Sequence, residues 1–178
     1  MFEAQTEWIS PESFPDLKDH KGYFVPVEAD PQYINLTGYP TDIFYQNLAK
    51  LPAKSTTVIL DACFSGADLF ENISPIIVKT NPSEVTLTNG LVFSSSSGDQ
   101  VSTWYNDKSH GMYTYFFLKA LQNGNADKNK DGHITALEIQ NYVSDNAYGV
   151  PYQARRSHGV TQIPQLKGTD KTQIILSY

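Results

Sequence analysis

One cysteine, few basic residues and no long apolar run set the first limits on this chain. Cys63 is the sole cysteine among 178 residues. No disulfide can therefore form within the chain, and a reducing compartment suits it. Lys and Arg number 13 against 19 Asp and Glu, for a net charge of −6. That balance lacks the basic surface that nucleic-acid binding needs, so nucleic acid is not an expected partner. No apolar stretch approaches the roughly 18 residues of a membrane-spanning helix, and no membrane partner is expected either. The opening Met1–Ile9 lacks the cationic start and apolar core of a secretory signal, and a cytoplasmic location follows as the expectation. Repeats, low-complexity tracts and clear linkers are missing too. One domain over residues 1–178 is expected, with chain enough to bury a proper core.

What is present alternates between strand and helix signals. Strands are predicted near 22–27, at 56–61, at 90–95 and at 172–177, and helices near 40–50, at 110–122 and at 135–147. A variable loop over 66–88 carries Pro75 and Pro82. Strands punctuated by helices predict an α/β fold with a mainly parallel sheet and helices on both faces.

The most informative stretch is 58–66, Val-Ile-Leu-Asp-Ala-Cys-Phe-Ser-Gly. Val58, Ile59 and Leu60 read as a strand buried in a parallel sheet, Asp61 adds charge, and Ser65-Gly66 break the pattern. Cys63 is thereby delivered to the carboxyl edge of a strand, where open α/β sheets bind ligands. Position alone is equally consistent with a buried structural cysteine.

Leu60-Asp61-Ala62-Cys63-Phe64-Ser65-Gly66 resembles the nucleophile motif of caspase-like cysteine peptidases, in particular their bacterial and metacaspase branch. The likeness runs on through Gly22–Asp30, Leu51–Lys54, Phe93–Gln100 and His110–Tyr115, in order. It implies a caspase-like three-layer sandwich, a polypeptide substrate and Cys63 as catalytic nucleophile. In such enzymes a histidine lies about 50 residues before the cysteine, usually in Ser-Gly-His-Gly. Here Glu12 stands at that place and Ser13 where a glycine normally lends an oxyanion-hole N–H. His20 is the surrogate base within reach in sequence, but its polar surroundings read as a solvated loop. The same resemblance places further strands ahead of the histidine strand. Met1 stands just before that point, so the fold is expected to lack its first strands, leaving a sheet edge open to self-association. Whether the chain is a slow peptidase or a non-catalytic module of the same fold stays open on this reading.

Two acids bear on specificity. Asp61, two residues before Cys63, would favour Arg or Lys before the cut through charge-assisted hydrogen bonds, or else cap the following turn. Asp99, after the serine run, is a second acid for the same pocket, and Ser95 from that run is a candidate for the substrate backbone. Trp104 and Tyr105 would wall the pocket or simply pack. A separate motif, residues 127–138, fits the EF-hand-like calcium template Asp-x-Asn-x-Asp-Gly-x5-Glu at every required position. Asp127, Asn129, Asp131, the His133 carbonyl and Glu138 would supply oxygen to Ca2+, the one cofactor expected. Gln122–Ala126 breaks the incoming helix, so the loop stands alone. The alternative is a set of metal-free Asx turns. His110 and the basic stretch Arg155–His158, read as a late loop, are not expected to act as bases.

Overall fold

The computed structural model describes residues 23–24, 26, 33–62, 87, 89–97 and 100–178. Cys63, Asp99, Glu12, Ser13, His20 and nearly all of 66–88 lie outside these.

The sheet that positions the site has three strands, in the order β3 (Thr56–Leu60), β4 (Gly90–Ser94) and β8 (Gln165–Gly168). Short β1 (Tyr23–Phe24) and β2 (Tyr39–Pro40) pair antiparallel before it, flanking the single turn α1 (Ile34–Thr37). Helix α2 (Thr41–Ala49) then leads to β3 (Thr56–Leu60). This strand runs parallel to β4 (Gly90–Ser94), with Thr56 opposite Gly90 and Leu60 opposite Ser94. Parallel pairing brings both carboxyl ends level, and that end carries the site.

Downstream, the two-residue strands β5 (Trp104–Tyr105) and β6 (His110–Gly111) form a hairpin that feeds α3 (Met112–Leu121). Strand β7 (His133–Thr135), α4 (Ala136–Val143) and α5 (Val150–His158) follow, then β8 (Gln165–Gly168) and β9 (Ile174–Ser177). Strand β8 pairs antiparallel with β4, and β9 pairs antiparallel with β7.

The core follows from apolar spacing. Helix α3 buries Met112, Tyr113, Phe116, Phe117 and Ala120, which recur on one face at helical spacing. They meet Ile139 and Val143 of α4, Val150 and Ala154 of α5, and Leu91, Phe93 and Leu166 of the sheet. Phe93 and Phe117 contact edge to face, with ring centroids 5.3 Å apart. Fully burying side chains of this size contributes about 1.5–3 kcal/mol each, so this cluster fixes how α3 sits on the strand ends.

Of the differences from the sequence reading, those at α5 and β8 bear most on the fold around the site. Residues 155–158 are the last turn of α5, not a loop. The helix has Pro151 in its first turn, Gly159 at its C-cap with φ 68°, and Arg155, Arg156 and His158 where the helix dipole favours cations. Its apolar positions are too few to give a periodic signal. Strand β8 was not foreseen because only Leu166 of its residues is buried. Its antiparallel pairing makes the described sheet mixed rather than mainly parallel.

Candidate active site

Helix α3 begins with an unmet need. Its first N–H groups have no partners inside the helix, and the N-cap is Gly111, which has no side chain to offer. The strand ends meet that need. The Thr103 carbonyl accepts from Met112 N–H at 2.8 Å. One oxygen of Asp61, just past β3, accepts from Thr114 N–H at 2.9 Å and from Thr114 Oγ1 at 2.6 Å. Asp61 is thus an N-cap supplied from another strand. The arrangement also explains Gly111, because a Cβ there would strike the Asp61 carboxylate.

Burial pushes the Asp61 carboxyl above its ordinary pKa, and hydrogen bonds from Thr114 and Ser95 only partly oppose this. The side chain keeps some exposure. Beside it Tyr113 is wholly buried, and its hydroxyl finds no hydrogen-bond partner among the described residues. Burial, reinforced by the Asp61 charge, drives the Tyr113 pKa upward, so this phenol stays neutral.

A second set of contacts grips the next residue. Ala62 is buried, and its carbonyl accepts from Ser102 Oγ at 3.1 Å and from Ser95 Oγ at 3.4 Å. The two serine hydroxyls also touch each other. Ser95 N–H bonds the Leu60 carbonyl at 2.9 Å, extending the β3–β4 ladder by one residue. Behind the serines lies Gln162, fully buried. Its Oε1 accepts from Thr103 N–H at 2.9 Å and Thr103 Oγ1 at 2.8 Å, and its Nε2 donates to the Ser95 carbonyl at 3.1 Å.

The structure therefore brings Asp61 and Ser95 together at one edge of the sheet, directly before Cys63, while Cys63 and Asp99 fall outside the described residues. Ser95 faces inward. Trp104 is about half exposed, and its carbonyl meets His158 Nε2 at 2.7 Å. Ser102, Thr103, Thr114 and Gln162 were not foreseen. Single polar residues carry no periodicity, and their buried pairing is visible only in three dimensions.

The 127–138 loop has the hydrogen-bond pattern of a tight acidic turn. Asp127 accepts from Lys130 N–H at 2.6 Å and Gly132 N–H at 3.0 Å. Asn129 accepts from Asp131 N–H at 3.1 Å, and Asp131 accepts from His133 N–H at 2.8 Å. Gly132 has φ 79°, a backbone shape that favours glycine. Glu138 turns back to its own helix start, accepting from Thr135 N–H and Oγ1 at 2.9 and 2.8 Å in a capping box with α4. Tyr178 donates its hydroxyl to Asp127 at 2.9 Å. Partial burial opposes ionisation of Asp127. The bonds from Tyr178, Gly132, Lys130 and Asp131 overcome it and hold the carboxyl below its ordinary value. The donor types fit a hard cation, yet Asp127 and Glu138 are turned to different partners. Among the described residues no group of three or more His, Cys, Asp or Glu converges as a metal site.

No helix among the described residues is long and apolar enough to cross a membrane. Comparison with curated proteins gave no match. A family model described as the caspase domain matches residues 11–174, which takes in both strand ends, the buried polar cluster and the acidic loop. The chain belongs to the caspase-domain family of cysteine peptidases.

Proposed function

We propose that this chain cleaves polypeptides after Arg or Lys, with Cys63 as nucleophile and Asp61 as the acid that draws the basic side chain. The observation that carries the reading is the place of Asp61, a half-buried residue at the carboxyl edge of β3, two residues before the only thiol of the sequence. A cation brought to a carboxylate already disfavoured by burial gains more than one meeting a solvated acid. An acidic residue before the cut would meet like charge instead. Asp99 is the second acid of this reading, and the three-layer arrangement goes with it.

The chemistry is that of a thiolate. Sulfur attacks the carbonyl carbon of the residue before the cut, the amine leaves with a proton, and water then releases the acyl group. A free cysteine ionises near pH 8.5, so a base is needed at pH 7. With Glu12 where the family histidine is expected, we infer slow turnover. Loss of a base from a nucleophile–base pair costs on the order of 10³–10⁶ in rate. That same departure favours the second reading, a non-catalytic caspase-fold module that binds peptides.

Fluorogenic peptides ending in Arg, Lys or Asp separate the two. Turnover of the basic peptides that vanishes in Cys63→Ala supports the peptidase. Absence of turnover in the parent, or turnover surviving that substitution, leaves only the binding module.

We also infer a calcium role for residues 127–138. Asp127, Asn129, Asp131, the His133 carbonyl and Glu138 would hold the ion once Tyr178 released Asp127 and Glu138 turned from its cap. Bound calcium would brace the α3–α4 connection. Millimolar calcium should then raise the melting temperature of the parent but not of Asp131→Ala, and equal behaviour of the two would remove the claim.

A further inference from the structure

We propose that Thr114 sets which cation Asp61 prefers, by occupying one carboxylate oxygen and leaving a point of contact that suits Lys at least as well as Arg. The inference rests on reading Asp61 as the acid that meets a basic side chain, and it concerns the choice between the two.

The usual advantage of Arg at an acid is geometric. Its planar guanidinium aligns two N–H donors with both oxygens of a carboxylate, whereas Lys brings a compact charge that one oxygen satisfies. An acid with both oxygens open therefore favours Arg. An acid with one oxygen withdrawn loses the fork and keeps the attraction of charge.

Asp61 is an acid of the second kind. Thr114 donates twice to the same oxygen, Oδ2, from its N–H at 2.9 Å and from its Oγ1 at 2.6 Å. Oδ2 also lies in the corner between β6 and α3: a Cβ added to Gly111 would strike it, and would stand 3.5 Å from Oδ1. A carboxylate has about four acceptor places. Thr114 takes two of them, and the Ser95 hydroxyl serves the same carboxyl. What is left for a ligand lies on Oδ1, and one oxygen cannot hold a fork.

The hydroxyl bond is the part of this contact that capping does not require. An α-helix start needs partners for its N–H groups, and the Thr114 N–H alone meets that need at Asp61. A threonine hydroxyl can instead bond a carbonyl of the preceding turn. Here it closes the second place on Oδ2.

The test measures kcat/KM on fluorogenic peptides identical but for Arg or Lys before the cut. The parent, Thr114→Val, Thr114→Ser and Ile139→Val are compared as intact chains. The Arg-over-Lys ratio of the parent is expected to stay below roughly threefold, as a single point of contact gives. Thr114→Val keeps the N–H and nearly the shape but loses the hydroxyl, which frees a place on Oδ2 and lets the carboxyl turn to offer both oxygens. Its ratio should rise roughly tenfold, the size of one further charge-assisted hydrogen bond. Thr114→Ser keeps the donor and should hold the parent ratio, as should Ile139→Val, a core change in α4. Thr114→Ala serves if Thr114→Val fails to fold. A larger Arg preference in the parent, or the parent ratio in a folded variant without the hydroxyl, overturns the proposal. If the parent cleaves neither peptide, calorimetric affinities for the methylamides of acetyl-Arg and acetyl-Lys take the place of kcat/KM. The same pattern there defeats the peptidase reading and leaves this one intact. Any other result, including binding of neither amide or binding unchanged in Asp61→Asn, overturns this one as well.

Discussion

Replacing Asp61 by Asn and by Ala separates its charge from its hydrogen bonds. Both Thr114 donors reach the same carboxylate oxygen, so the single Asn oxygen can take that place and keep both bonds. Ala removes them and strands two donors at the start of α3. Each such bond contributes about 0.5–1.5 kcal/mol net, which puts Ala roughly 1–3 kcal/mol below Asn. For a domain of this length each kcal/mol moves the melting temperature by roughly 2–4 °C.

The charge works the other way. Because the folded fold favours the protonated form of Asp61, the unfolded chain ionises first as pH rises past about 3.9. Stability is lost from there until the folded value is passed, and the cost stays in full above it. Asp61→Asn removes that cost. It should melt at or above the parent at pH 7, with the gap closing toward pH 3, while Asp61→Ala melts below Asp61→Asn throughout. On Arg-ending peptides Asp61→Asn should lose kcat/KM by roughly 10- to 150-fold, as expected for one charge-assisted hydrogen bond of about 1.5–3 kcal/mol. Calorimetry at three pH values and one peptide series decide the matter. If Asn and Ala melt together, the capping argument is wrong. If Asn keeps the preference for Arg over a neutral residue, the charge on Asp61 does not select substrate.

Gly111→Ala should destabilise by about 1–3 kcal/mol, the usual cost of forcing extra atoms into a packed site. Asp61→Ala in the same chain should recover part of that loss, and additive losses in denaturant melts would show that the two residues do not meet. Asp127 has its folded value depressed, so its contribution is present above about pH 3.9 and disappears as pH falls through the folded value. Urea denaturation between pH 2.5 and 6 should therefore be less pH-dependent in Asp127→Asn, and an unchanged slope refutes the assigned bonds. Thr135→Ala removes the side-chain half of the α4 capping box, leaving the backbone N–H of residue 135 on the Glu138 carboxylate, and should cost roughly 1 kcal/mol; a loss below a few tenths in chemical denaturation would remove it as a cap.

What the sequence made legible is the part built on periodicity and punctuation. Val58–Leu60 before Asp61 announced β3, the likeness at His110–Tyr115 announced the start of α3, and the loop template announced the turn at 127–138. The acid at Asp61 was legible as an acid, and its two readings, pocket and cap, were both open. The structure adds that it caps α3. Gln162, Ser102 and Thr114 were illegible for a single reason: each owes its role to a partner far away in sequence, 40 residues for Ser102 and Ala62, 53 for Thr114 and Asp61, and 59 for Gln162 and Thr103. Strand β9 belongs with these. Its apolar run marked it as a strand, but its partner is the loop strand β7, and no local pattern encodes that choice.

These distant contacts converge on two consecutive residues with opposite demands. Asp61 must stay partly open if it is to meet a substrate cation, yet its carboxylate is needed inward as the cap of α3. Ala62 must be closed, since its carbonyl is held by two buried hydroxyls. Strand pairing alone could not satisfy both, because successive residues of a strand face opposite sides and the ladder ends at Leu60. The chain leaves the strand there and hands each residue to a different neighbour, Asp61 to α3 and Ala62 to the Gln162 cluster. If the two supports are separate, loosening the cluster while α3 stays capped should cost little of the fold, and thermal melting of Ser102→Ala tests this: a loss as large as that of Asp61→Ala would refute it.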